Sequence, residues 1–82
     1  MKITVYSTTT CPYCVMLKRW LEEQSIEFTN YMVDRNPIAA QQMINLSGQM
    51  GVPFSTIEFE DGKMEKILGF DRSKFAAALA TK

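Results

Sequence analysis

Both cysteines of this 82-residue chain fall in one stretch, Thr8-Thr9-Thr10-Cys11-Pro12-Tyr13-Cys14, where a short β-branched run passes into a helical pattern. That joint constrains the fold more than any other feature of the sequence. A thiolate is the reactive form of cysteine. The start of a helix supplies unpaired N–H groups and the positive end of the macrodipole, which together favour an anion at Cys11. Pro12 suits the first helical position, because its φ is already helical and its missing N–H would have been an orphan there. Cys14 follows three residues later on the same side of the first turn, close enough to attack a mixed disulfide held on Cys11. The pair reads as nucleophile and resolver, and the motif predicts a strand before it and a helix after it.

Other uses of the pair compete with this one. As a permanent staple it would close a very short loop, worth only about 2 kcal/mol in the chain-entropy model. A zinc site within one chain usually takes four Cys or His ligands, and the sequence has two cysteines and no histidine. A metal or iron–sulfur centre shared between two chains, completed by ligands such as glutathione, is the alternative reading: a binding module without redox turnover. The lack of histidine removes a Cys–His hydrolase from consideration.

A chain of this length has room for one domain, 1-82, with one modest core. Nine basic residues against nine acidic ones create no field for nucleic acid or an anionic membrane, so neither is an expected partner. Met1 to Tyr6 is too short and too polar for a signal-peptide core, and no apolar run approaches the roughly 20 residues that span a bilayer. A cytoplasmic monomer is expected, and in that reducing compartment a vicinal cysteine pair is catalytic rather than permanently bridged.

Lys2 to Tyr6 alternates, with Ile3 and Val5 on one side and Thr4 and Tyr6 on the other, and predicts an inner strand. Val15, Met16, Leu17, Trp20 and Leu21 give an apolar stripe at helical spacing, predicting a helix over Pro12 to Gln24. Glu27 to Val33 reads as a second strand, parallel to the first as a β-α-β unit requires. Asn36 and Pro37 are N-cap and first position of a second helix, with Ala40, Met43 and Ile44 on its buried face and Gly48 at its end. Phe54 to Phe59 and Lys63 to Leu68 read as antiparallel strands joined at Asp61-Gly62. Asp71 caps a last helix from Arg72 to about Ala80, with Phe70 and Phe75 placed as a hydrophobic staple. Trp20, Met16, Met43 and Met64 read as core or edge packing.

A C-x-x-C on the first helix of a β-α-β unit, followed by an X-Pro at the start of an antiparallel hairpin, resembles the thioredoxin fold. That fold is a β-α-β-α-β-β-α chain in which three helices flank a central four-stranded mixed sheet. The length and Cys11-Pro12-Tyr13-Cys14 resemble the glutaredoxin branch. Ser47-Gly48-Gln49-Met50-Gly51-Val52-Pro53 and Gly69-Phe70-Asp71 are more similar to small bacterial glutaredoxin-like proteins, near the redoxins that serve ribonucleotide reductase. The resemblance implies a dithiol-disulfide oxidoreductase working through a redox-active Cys11-Cys14 disulfide on protein or small-molecule disulfides. Ribonucleotide reductase or a peroxidase is a candidate substrate. No cofactor is expected to be tightly bound, and electrons would come from thioredoxin reductase or from glutathione as co-substrate.

The resemblance further implies that Pro53 is cis and lies against the cysteines, and that the Val52 backbone pairs with a bound peptide or glutathione. Pro12, Tyr13, Gly69, Phe70 and Asp71 complete the implied substrate site, and Met50 would add to an apolar partner surface. On the residues alone, Pro53 only begins a strand or turn, and about 95% of X-Pro bonds are trans. The chain departs from glutathione-using members at Thr8, where they often carry a basic residue, at Gly51, where Thr is common, and at Leu68, where a Gly-Gly-x-Asp stretch would begin. Lys18, Arg35 and Arg72 are the candidate replacement cations, and the start of the last helix is the remaining anion site. These departures predict faster reduction by a thioredoxin reductase than by glutathione.

Overall fold

The computed structural model describes residues 1–80. Thr81 and Lys82, the end of the domain expected over 1-82, lie outside the described residues. The elements follow in the expected order: β1 (Lys2–Ser7), α1 (Pro12–Glu23), β2 (Thr29–Met32), α2 (Pro37–Ser47), β3 (Phe54–Glu58), β4 (Met64–Leu68) and α3 (Arg72–Ala80). The strands form one mixed sheet in the order β2-β1-β3-β4, with β1 parallel to β2 and antiparallel to β3. β4 returns antiparallel to β3.

The alternation in β1 sends its side chains to two cores. Ile3 and Val5 join Ile57 and Ile67 under Leu17 and Leu21 of α1 and Phe75 and Ala78 of α3. Tyr6 and Phe54 face the other way, against Ala39 and Met43 of α2. Each of the larger fully buried side chains contributes about 1.5–3 kcal/mol through removal from water. The single tryptophan ties α1 to the start of α3: the Trp20 ring lies 6.4 Å from Phe70 and 5.9 Å from Phe75. The staple pair thus meets in the core around Trp20.

The helix ends were legible in the sequence. Asn36 Oδ1 accepts the Ala39 N–H at 3.1 Å, and Gly48 closes α2 with φ 72°, a conformation that costs glycine nothing sterically. Asp71 Oδ1 accepts the Lys74 N–H at 3.1 Å, the expected cap of α3.

Other expectations are corrected. The buried line of α1 is Cys14, Leu17 and Leu21, whereas Val15 and Met16 are exposed, because no element among the described residues covers that flank. Met64 is likewise exposed on an edge strand, so of the three methionines read as packing residues only Met43 is buried. On α2 the buried face runs through Ala39 and Met43, one step round from the predicted Ala40, Met43 and Ile44. α1 ends at Glu23 with Gln24 as its cap. β2 is shorter than Glu27 to Val33, because Ile26 and Phe28 reach the core from outside the ladder. The hairpin strands are each one residue shorter, ending at Glu58 and resuming at Met64.

The registers decide where the site can form. Tyr6 pairs with Phe54, and Phe54 with Leu68. The chain leaving β1 toward Cys11, the chain entering β3 through Val52 and Pro53, and the chain leaving β4 through Gly69 and Phe70 therefore meet at one end of the sheet.

Candidate functional site

Cys11 is the N-cap of α1, with extended backbone (φ −98°, ψ 108°), and Pro12 occupies the first turn. Its sulfur accepts the Cys14 N–H at 3.1 Å, so a helix-start donor that needed a partner is aimed at the nucleophile. Both cysteines are free, Cys11 half-buried and Cys14 buried. Burial pushes the Cys14 thiol up to about 12, and its hydrogen bond with the Cys11 side chain acts in the same direction. A backbone hydrogen bond from Thr8 and the charge of Lys18 pull weakly the other way. One sulfur is reachable and receives a donor, while the other is held as a protonated thiol behind it.

Two further segments come to the same end of the sheet as the pair. The Val52-Pro53 peptide is cis, as the resemblance implies and against the base rate for X-Pro bonds, and the Pro53 carbonyl accepts the Gly69 N–H at 2.7 Å. Gly69 makes that bond with φ 81°, and Phe70 follows, with the Arg72 guanidinium 5.8 Å from its ring centre. Tyr13 is 63% exposed, Met50 72% and Leu68 55%, so three large apolar side chains face solvent on the segments that carry the site. By contrast, two open concavities of about 900 and 560 Å³ are lined at the other end of the sheet, by residues such as Phe59, Lys63 and Glu65, and Lys2, Ile26 and Phe28. Neither includes a residue of the cysteine end.

Several supporting residues were not singled out in the sequence. The Asp34 carboxylate accepts both the hydroxyl and the N–H of Thr9, the latter at 3.1 Å. Those two bonds hold the Asp34 carboxyl below its ordinary value and tie the loop before Cys11 to the loop before α2. Beneath that loop the buried Ser7 hydroxyl donates to Asn30 Oδ1 at 2.7 Å, joining the ends of β1 and β2. Gln49 bonds within the turn that precedes Val52. Contacts of this kind link loops far apart in sequence and leave no periodic signal.

A mixed sheet between α2 and the α1–α3 pair, with a dithiol at the start of α1 and a cis proline at the same end of the sheet, defines a thioredoxin-fold dithiol protein. The glutaredoxin family model matches residues 3–57, and the chain belongs to the glutaredoxin family. It is 36% identical over 72 residues to an uncharacterised glutaredoxin-like 8.6 kDa protein of the rubredoxin operon of Clostridium pasteurianum, covering 88% of this chain and 89% of that one. The thioredoxin-like protein BC3987 has the same fold at a TM-score of 0.80 and 26% identity, over 93% of this chain and 97% of that one. The NrdH-redoxin of Escherichia coli, a glutaredoxin-like protein with a thioredoxin-like activity profile, gives a TM-score of 0.76 at 27% identity, over 94% and 93% of the two chains. Among the described residues no helix is long and apolar enough to cross a membrane.

Proposed function

We propose that the protein is a cytoplasmic, monomeric dithiol-disulfide oxidoreductase that reduces disulfides of protein partners through Cys11 and Cys14. The observation that carries this reading is the inequality of the two sulfurs: Cys11 is reachable and accepts the Cys14 N–H, while Cys14 is buried and protonated. The Cys11 thiolate attacks one sulfur of the partner disulfide, forming a mixed disulfide and releasing the first partner thiolate. Cys14 then gives up its proton and attacks the Cys11 sulfur. The Cys11-Cys14 disulfide forms and the second partner thiol leaves, so two electrons pass from the protein's dithiol to the partner. Protonation of Cys14 at rest keeps it from competing for the partner, and the low thiolate fraction is offset by its fixed proximity to Cys11.

Exposed Tyr13, Met50 and Leu68 on the segments at the cysteine end of the sheet support a macromolecular partner, with apolar area to cover, and ribonucleotide reductase or a peroxidase fits that class. The uncharged Thr8 and the Asp71 carboxylate already seated on the Lys74 N–H at the start of α3 weaken the case for glutathione as electron donor and favour a thioredoxin reductase. No tightly bound cofactor takes part in this reaction. Cys14→Ser is expected to accumulate a mixed disulfide with oxidised insulin chains through Cys11, seen by mass spectrometry, and Cys11→Ser to accumulate none. Adducts on the Cys11→Ser protein instead would overturn the assignment.

A further inference from the structure

Two side chains hold the turn between α2 and Val52: Ser47 Oγ donates to the Gln49 carbonyl at 2.9 Å and accepts the Gln49 N–H, and Gln49 carries the hold on to Gly51. Gln49 Nε2 donates to the Gly51 carbonyl at 3.2 Å and lies 3.2 Å from Ser47 Oγ, while Gln49 Oε1 accepts the Gly51 N–H. A single primary amide therefore engages both backbone groups of one residue, as the facing residue of a hydrogen-bonded antiparallel pair does. Ser47 Oγ in turn lies 2.6 Å from the Met43 carbonyl, anchoring the assembly to the last turn of α2. Glycine at 51 leaves room for the clasp. A Cβ there would come within 2.5 Å of Gln49 Oε1, and its next neighbour outside the clasp, Leu68 Cδ1, would be at an ordinary 3.7 Å. Gly51 has no left-handed φ, so a methyl here would meet only the flexible end of Gln49, which would have to move aside.

We propose that Gln49 is a positioning residue for polypeptide disulfides: by clasping Gly51 it fixes the backbone on which Val52 and the exposed Met50 meet the partner beside Cys11. The idea rests on the oxidoreductase reading and adds the residue that orders its docking edge. Without the clasp, the 49–51 turn must be ordered each time a partner binds, a cost borne in affinity rather than in the exchange step. The effect belongs to partners long enough to touch this edge and not to small disulfides.

The test uses the reduced protein, whose two thiols supply the electrons, mixed in single turnovers with an excess of a short apolar peptide closed by one disulfide. The peptide becomes a dithiol and the protein a disulfide. Gln49→Ala is expected to raise the half-saturating peptide concentration about fivefold, the size of one net hydrogen bond, with the limiting rate and the rate toward hydroxyethyl disulfide retained. Gly51→Ala should give the same increase, because its methyl displaces the Gln49 amide. The Gln49→Ala/Gly51→Ala double variant should match either single variant, since the obstruction is already gone. Half-saturation unchanged in Gln49→Ala, or two effects that multiply in the double variant, would overturn the clasp while leaving the oxidoreductase reading intact. A wild-type protein that fails to reduce either disulfide would overturn that reading instead.

Discussion

Alkylation of Cys14 offers a quantitative test of the asymmetry between the sulfurs. With its thiol pushed up to about 12 by burial, Cys14 has a thiolate fraction at pH 7 of about one in 10⁵, against about 3% for a free cysteine of pKa about 8.5. Protonation alone therefore slows attack on iodoacetamide by about 3,000-fold relative to a free thiol, and steric shielding adds to that. The assay is a time course of labelling on the reduced protein, followed by digestion and mass spectrometry of the peptide carrying both cysteines. The same sample unfolded in urea supplies the free-thiol rate. Cys11 should label readily and Cys14 should not, and Cys11→Ser should leave Cys14 protected, because burial is the leading cause of its shift. A Cys14 rate within tenfold of the unfolded reference at pH 7 would refute the reasoning. The same shift has a stability consequence of determined sign. A thiol whose value is raised on folding contributes stability that is complete below the unfolded value of about 8.5 and is lost as pH rises toward about 12. Denaturant midpoints of the reduced protein should fall over that window, and those of the disulfide form, which has no thiol to titrate, should not fall with it.

The other expectations concern the scaffold and the electron source. The two bonds from Thr9 hold Asp34 below its ordinary 3.8, so their contribution is complete above that value and is lost as pH falls through the lower folded one; the Thr9 amide resonance should titrate there, and a resonance flat across the acid range would contradict the contact. Asn36→Ala removes the side-chain acceptor of the Ala39 N–H and should cost about 1 kcal/mol of unfolding free energy, whereas an unchanged denaturation midpoint would mean the cap is idle. In stopped-flow reduction of the disulfide form, a flavin-dependent thioredoxin reductase should outpace millimolar glutathione, and a clear preference for glutathione would reverse the assignment of donor.

What the sequence made legible was local. Proline after Cys11, Asn36 before Pro37 and Gly48 after Ser47 each mark a helix end by stereochemistry that acts within a few residues, and alternation over Ile3 to Tyr6 assigns two faces without further information. The faces of α1 and α2 were harder, because periodicity says that a helix has an apolar side but not the angle at which the sheet meets it. Periodicity alone therefore assigns Val15 and Met16 to the buried side and favours Ala40 over Ala39. The residues around the sulfurs divide in the same way. Cys11, Cys14 and Pro12 announced themselves through spacing. Asp34 and Thr9 are 25 positions apart in the chain, and Gln49 acts through the far end of a flexible side chain, so neither had a pattern to detect.

The position of Trp20 makes the chain its own optical probe. As the only indole, it sits on the helix that carries both sulfurs and packs against Phe70 and Phe75 at the opening of α3. Its emission therefore comes from the junction of two segments of the site, with no competing indole to subtract. Closing or opening the Cys11-Cys14 bond, moving α1 against α3 and seating a partner on Phe70 all act on one emitter, so the electron transfer proposed here can be followed in the unlabelled protein.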